Sequence, residues 1–222
     1  MAVGWFVTGT DTGVGKTRVA AALVHAFSER GARTVGMKPV ASGCERTAAG
    51  LRNEDALALI AASPLPVAYE DVNPYTFEPA IAPHVAADLA GSEIRFEPLE
   101  AAYRRLAAGA DRVIVEGAGG WRVPFGRGRF QSDLARHLEL DVVLVVGLRL
   151  GCLNHAILTA EAIKRDGLRL VGWIGSRIDP GMPYVDENVA TLRETLPAPC
   201  LGVLPYEPDP PLARTAGYIT LG

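Results

Sequence analysis

The sequence predicts an α/β fold: a mainly parallel sheet with helices on both faces. Two observations carry this. Short apolar stretches such as "RVIVE" and "VVLVVG" alternate with longer amphipathic stretches along the 222 residues, the order expected of repeated strand–helix units. Those apolar stretches show no polar alternation, as strands buried on both faces do. No repeat, low-complexity segment or linker interrupts the chain, so residues 1–222 are expected to form one domain. In such sheets ligands gather at the carboxyl ends of the strands, and strand-end residues are therefore read for function.

Taken in order, residues 5–8 form a short apolar strand. Residues 17–30 read as a helix, with Val19, Leu23 and Phe27 on one stripe and Arg18, His25 and Glu29 elsewhere, and Gly31 is a natural stop. Residues 34–38 give a second strand, and 53–62 a helix with Asn53 as N-cap. The stretch 64–98 holds six prolines and little periodicity, so an irregular excursion over the sheet is expected. A helix over 99–108 leads to a buried strand at 112–116. Then follow a helix (131–138), a fully apolar strand (142–147), a helix (154–165), a strand (170–174), a helix (185–196), a strand (201–204) and a proline-rich tail.

Composition excludes several classes of function. Apolar residues make up 49% of the chain and charged residues 21%, which describes a folded protein rather than a disordered one. The net charge is −3 with acids and bases interspersed, so no nucleic-acid surface is expected. Cys44, Cys152 and Cys200 are widely spaced with no CxxC pair, suiting a reducing compartment and giving neither a disulfide framework nor a zinc site. There is no basic leader region, and no apolar run approaches the length of a membrane span. The expectation is a cytoplasmic protein without membrane partners.

The stretch "FVTGTDTGVGKT" places an apolar strand, a glycine turn and Gly15-Lys16-Thr17 within one unit, the second half of a phosphate-binding P-loop. Backbone N–H groups of Gly13, Val14, Gly15 and the helix start through Arg18 would bind phosphate oxygens. Lys16 would bridge the outer phosphates, and the Thr17 hydroxyl would ligate Mg²⁺. The register is unusual: Gly9 falls one residue early, and Thr10 stands at the first glycine position.

Two carboxylates fit the same metal site. Glu116 ends "RVIVE", so four apolar residues carry an acid straight to the ligand edge, and Gly117-Ala118-Gly119-Gly120 follows as a turn whose backbone could approach a ligand. Asp55 lies in the first turn of its helix, where the macrodipole alone favours an acid; structural and metal-binding roles are both open for it. Thr17 with two carboxylates suits Mg²⁺, which keeps waters and phosphate oxygens as its other ligands. Lys38 ends the second strand in "VGMKPVASG", which should bring its ammonium to the edge where Lys16 lies.

Six stretches, "FVTGTDTGVGKT", "KPVASG", "LRNEDALAL", "VNPYTFEPAIAPH", "VEGAGGWRVP" and "GLRLGCLNHAILTAEAI", together resemble the dethiobiotin synthetase family, from the first strand to about Gly202. The lengthened P-loop is itself the family's form. The resemblance implies ATP as co-substrate with Mg²⁺, and 7,8-diaminononanoate and CO₂ as substrates. It also implies Lys38 and Lys16 as catalytic cations, with Thr12 and Ser42 beside the diamine or its carbamate. Leu150, Gly151, Cys152 and Asn154, opening a helix, would bind the distal carboxylate of the substrate. In the family that helix end belongs to the neighbouring subunit, implying a homodimer; Asn154 would also serve as an ordinary N-cap.

One departure concerns the base. Many members carry an Asn-Asp pair after the strand "GW-hydrophobic", whereas this chain has Ser176-Arg177, and one hydroxyl replaces an amide's paired contacts. Pro205, Tyr206 and Glu207 are expected against base and ribose. The rival classes are a nucleotide-driven switch, whose members typically carry lysine at the position of Asp11, and another ATP-dependent ligase. His25, His84, His137 and His155 lack metal-ligand spacing. Cys152 reads as packing, and Trp121 as either pocket wall or core.

Overall fold

A computed structural model describes residues 2–221. Its elements, in chain order, begin with β1 (Val3–Gly9), α1 (Lys16–Glu29), β2 (Thr34–Met37), β3 (Val40–Ser42), β4 (Glu45–Thr47), β5 (Gly50–Arg52) and α2 (Glu54–Ala62). The middle of the chain gives α3 (Tyr69–Val72), β6 (Tyr75–Phe77), α4 (Pro83–Leu89), α5 (Phe96–Gly109), β7 (Arg112–Gly120), β8 (Pro124–Gly126), β9 (Arg129–Phe130) and α6 (Gln131–His137). The remainder is β10 (Asp141–Leu148), α7 (Cys152–Arg165), β11 (Leu170–Arg177), α8 (Val185–Thr195), β12 (Cys200–Leu204) and α9 (Leu212–Gly217).

The main sheet has the order β12-β11-β10-β1-β7-β2, and every pairing in it is parallel. Alternate side chains leave a strand on opposite faces, and the core divides accordingly. Val7, Ile114, Val143, Val145 and Ile174 pack with α1 and α9 on one face. Phe6, Val113, Val115 and Val142 pack with α5, α6 and the end of α7 on the other. The chain passes from β7 on one side of β1 to β10 on the other, so the winding reverses at β1. The crevice expected at such a reversal lies at the tip of β1, where the glycine turn begins.

Local chemistry explains the boundaries. Gly31 ends α1 with φ +86, and its N–H donates to Ser28 O at 2.9 Å. The Asn53 side chain caps α2 by accepting from the Ala56 N–H. The excursion 64–98 is more ordered than expected: it contains α3, α4 and β6, the last paired with β3. These pieces are three to seven residues long, too short to show a period. α4 begins with Pro83 at its first turn, where proline's missing N–H costs nothing. The tail carries α9, whose Ala216 joins the α1 face of the core.

Two expected boundaries are corrected. The turn expected after Glu116 is a bulged continuation of β7: Glu116 pairs with Val7, and Gly120 with Gly9, so 117–119 are accommodated out of register. The helix expected from 154 starts at Cys152, with Gly151 as N-cap at φ +92. Asn154 is therefore already inside the helix and exposed, and no side-chain cap bond forms at that end.

Candidate functional site

The tips of β1, β2 and β7 lie side by side and open on one cleft of about 780 Å³. Its walls include Lys16, Thr17, Lys38, Asp55 and Glu116, together with Thr12, Gly13, Gly15, Ser42, Ala118 and Gly119. All of these were singled out from the sequence. An apolar wall completes it, formed by Val40, Ile81, Pro83 and Val123.

The glycine turn works as a backbone cradle because its glycines accept left-handed geometry. Gly13 and Gly15 have φ +72 and +88. A Cβ on Gly15 would also meet Ser176 Oγ at 3.0 Å. Lys16 lies across the turn, its Nζ donating to Asp11 O at 2.8 Å. Val14 lies beneath the turn, buried at 1% exposure, and contributes backbone rather than side chain.

Lys38 is only 4% exposed, unlike an ordinary solvated lysine at a strand end. Its Nζ donates to Asp55 Oδ2 and Glu116 Oε1, both at 2.7 Å. Burial opposes the charge, but Glu116 and Asp55 outweigh it and hold the Lys38 pKa above lysine's ordinary value. Lys16 has no such clamp. Burial, aided by the charge of Lys38, pushes it down to about 8. Burial pushes Asp55 up, yet Lys38 and the Thr17 hydroxyl overcome it and lower the carboxyl.

The oxygens expected to hold Mg²⁺ converge. Thr17 Oγ1 stands 2.6 Å from Asp55 Oδ1 and 2.9 Å from Glu116 Oε1; its single proton serves one at a time. Glu116 Oε2 is buried without any partner, although buried polar atoms are normally paired. A hydroxyl and two carboxylates, one of them with an orphaned oxygen, are the hard-oxygen set that Mg²⁺ takes, so the residues fit the ion.

The remaining predicted residues, Gly117 aside, fall into two groups outside this cleft. Ser176, at the tip of β11, is 3% exposed and faces Gly15. Arg177 ends the same strand, and Pro205, Tyr206 and Glu207 follow β12. Arg18 points to this group rather than to the cradle, with NH1 donating to Pro205 O at 3.2 Å and Nε to Thr215 Oγ1 at 3.4 Å. Glu207 pairs with Arg214 at 2.5 Å. Gly117 lies behind the cleft, where a Cβ would strike Phe6 at 2.9 Å.

The second group is the start of α7. Leu150 is 97% exposed and Cys152 buried. Neither they nor Gly151 and Asn154 border the cleft of their own chain. Arg149 ties this turn to the P-loop through Asp11 at 2.5 Å. Trp121 proves to be core: it is 3% exposed, packs edge-on to Phe6 at 5.9 Å, and donates to Asp166 Oδ2 at 2.8 Å.

Sequence reasoning missed Gln131. This residue is fully buried and accepts from Ala118 N–H at 2.9 Å, while its amide donates to Gly120 O. It thereby pins the β7 bulge beside Glu116. A glutamine opening a helix carries no sequence signal for such a task.

A strand–turn–helix phosphate cradle, with a lysine, a hydroxyl and two acids at one sheet edge, defines a P-loop nucleotide-binding protein. The family model described as an AAA domain matches residues 4–211. Solved structures agree at the level of the fold. The MinD cell division protein of Aquifex aeolicus superposes with a TM-score of 0.58 at 19% identity, covering 98% of this chain and 87% of that one. The septum site-determining protein MinD with Mg-ADP from Pyrococcus horikoshii gives 0.56 at 16%, covering 94% and 83%.

Sequence relatives are much nearer. The ATP-dependent dethiobiotin synthetase BioD of Pseudomonas paraeruginosa is 57% identical over 218 residues, 98% of this chain and 96% of its own length. The protein of that name from Xanthomonas oryzae pv. oryzae is 53% identical over 217 residues, 98% and 97% of the two chains. The chain belongs to the ATP-dependent dethiobiotin synthetase family. Among the described residues, no helix is long and apolar enough to cross a membrane.

Proposed function

We propose that the protein carboxylates 7,8-diaminononanoate with CO₂ and closes the ureido ring at the expense of ATP, releasing dethiobiotin, ADP and phosphate. The observation that carries the reading is the shared cleft of Lys16 and Lys38, in which Glu116 and Asp55 both pair with Lys38.

In this reading one substrate amine adds to CO₂, forming an N–C bond and losing a proton, to give a carbamate. A carbamate oxygen then takes the γ-phosphoryl group and ADP leaves. The second amine attacks the carbamoyl carbon; the C–N bond of the urea forms, the C–O bond to phosphate breaks, and the amine's proton is lost. Lys38, held protonated, disfavours a second positive charge on the nearby amines and keeps them nucleophilic. It then stabilises the anionic carbamate. Lys16 balances charge on the transferring phosphoryl group. Thr17, Asp55 and Glu116 would hold Mg²⁺, which neutralises phosphate charge and orients the terminal phosphates when bound. Thr12 and Ser42 flank the reacting amines, and no protein nucleophile is needed.

The base is assigned to the Ser176, Arg177 and Pro205–Glu207 edge, because Arg18 and Ser176 join that edge to the cradle. The substrate carboxylate is assigned to Leu150, Gly151, Cys152 and Asn154 of a second subunit. Support for a homodimer is that Leu150, Gly151 and Asn154 are exposed at this helix start and do not border the cleft of their own chain. We further place the protein in the cytoplasm, as one domain.

The test is phosphate release from ATP with and without diaminononanoate and bicarbonate. This reading requires both for release; a nucleotide-driven switch on the same fold would ignore them.

A further inference from the structure

A partly buried chain of hydrogen bonds that the proposed chemistry does not use runs from Lys38 to the helix carrying Asp55. The Lys38 carbonyl accepts from Asn73 Nδ2 at 2.6 Å, and the Lys38 N–H donates to Val72 O at 2.8 Å. Asn73 is 2% exposed. Its second amide hydrogen goes to Tyr75 O at 3.3 Å, and its Oδ1 accepts from the Tyr69 hydroxyl at 3.0 Å. That hydroxyl accepts in turn from the Asn53 N–H at 2.8 Å. Asn53 is the N-cap of α2, two residues before Asp55.

The chain is closed at its other end by the ion pair itself, Lys38 Nζ to Asp55 Oδ2 at 2.7 Å. Lys38 and Asp55 are thus joined twice, once through side chains and once through Asn73, Tyr69 and Asn53. We infer that Tyr69 and Asn73 are positioning residues for Lys38, locking its strand tip to the cap of α2 so that ammonium and carboxylate meet in one register.

Other features make such a lock necessary. The covalent path from Lys38 to Asn53 includes the hairpin β4–β5, whose residues are mostly exposed, so it cannot hold that register. The far end of α2 is fixed independently: Ser63 Oγ accepts from Gly36 N–H at 3.1 Å, and Leu59 lies over Gly36, where a Cβ would meet it at 2.7 Å. The Tyr69–Asn73 link acts at the near end, bearing Asp55, in addition to the Thr17 bond to Asp55 and the burial of Ala56. The Tyr69 ring is itself held by the Arg52 guanidinium, 4.0 Å from its centroid. Mere satisfaction of a buried carbonyl would be met by any donor and would not require a path to this particular cap.

The inference rests on the role proposed for Lys38, and the experiment separates the two. Asn73→Ala leaves the buried Lys38 carbonyl without a donor and endangers folding, so Tyr69→Phe is the decisive variant. It keeps the ring against Arg52 and deletes both hydroxyl bonds. Turnover should fall about ten- to hundredfold, the range for partners that orient a ligand, with KM for ATP unchanged within about twofold. In a Lys38→Ala background the same substitution should cost nothing further, because interacting residues are not additive. Unchanged turnover in Tyr69→Phe, or an equal loss with and without Lys38, overturns the inference. If Lys38→Ala alone retains activity, the role of Lys38 fails and the inference falls with it.

Discussion

Lys38 and Glu116 form a buried ion pair, 2.7 Å from Nζ to Oε1, with side chains 5% and 1% exposed. The second oxygen of the acid has no partner. The pair comes from neighbouring parallel strands, since β2 and β7 lie together with Met37 opposite Val115. One register step beyond that pairing brings Lys38 level with Glu116. A cation and an unpartnered carboxylate oxygen thereby lie together at one strand edge; in the proposed function the cation serves the substrate and the oxygen a metal.

Glu116→Gln keeps the shape and a bond to Lys38 but removes the charge from the orphaned position. Lys38 retains Asp55, so the fold should survive. The Mg²⁺ concentration for half-maximal phosphate release should rise about ten- to hundredfold. A magnesium titration of both proteins checks this; coincident curves would remove Glu116 from the metal site.

The base edge should discriminate weakly. Ser176 is buried against Gly15 and carries one hydroxyl, whereas strong rejection of a wrong group needs several buried polar contacts left unpaired. CTP or GTP should therefore support turnover at a measurable fraction of the ATP rate. Initial rates with all four triphosphates decide it, and strict dependence on ATP would count against this reading of Ser176.

Gly15→Ala should damage the phosphate cradle more than the fold. A side chain there meets left-handed backbone at φ +88 and Ser176 Oγ at 3.0 Å, and the conformation alone costs about 1–2 kcal/mol. Nucleotide affinity should fall roughly tenfold, which corresponds to about 1.4 kcal/mol, while the circular dichroism spectrum stays unchanged. Calorimetric titration with a non-hydrolysable ATP analogue measures the change.

If the start of α7 serves a neighbouring cleft, two inactive variants should complement each other. A Lys38→Ala chain keeps a good helix start, and an Asn154→Ala chain keeps a good cleft. Mixing them under exchange conditions should restore activity that neither has alone. No gain on mixing, with both shown to be dimeric by sedimentation, would place the carboxylate site elsewhere.

Much of this was legible in the sequence, for physical reasons. Runs such as 142–147 can satisfy their apolar side chains only inside a covered sheet, so the strands and their ligand edge followed directly. Lys16, Thr17, Lys38 and Glu116 were legible because each stands at the end of an apolar run or at the helix start that such a run feeds. What stayed hidden depends on contacts between distant segments. The β7 bulge is set by Gln131 from another element. The link from Lys38 to Asn53 runs through residues inside a stretch too irregular to show a period. The start of α7 was misplaced because its N-cap is a left-handed glycine, whereas Asn154 offered the side chain that usually marks a helix start.

The most direct test of the account is Lys38→Ala, measured for turnover and for nucleotide binding on the same preparation. Loss of turnover by about two to three orders of magnitude, the range for removing a preorganised electrostatic contact, is predicted, with ATP affinity nearly unchanged because Lys16 and the loop amides remain. Turnover within a few-fold of the parent protein would contradict it.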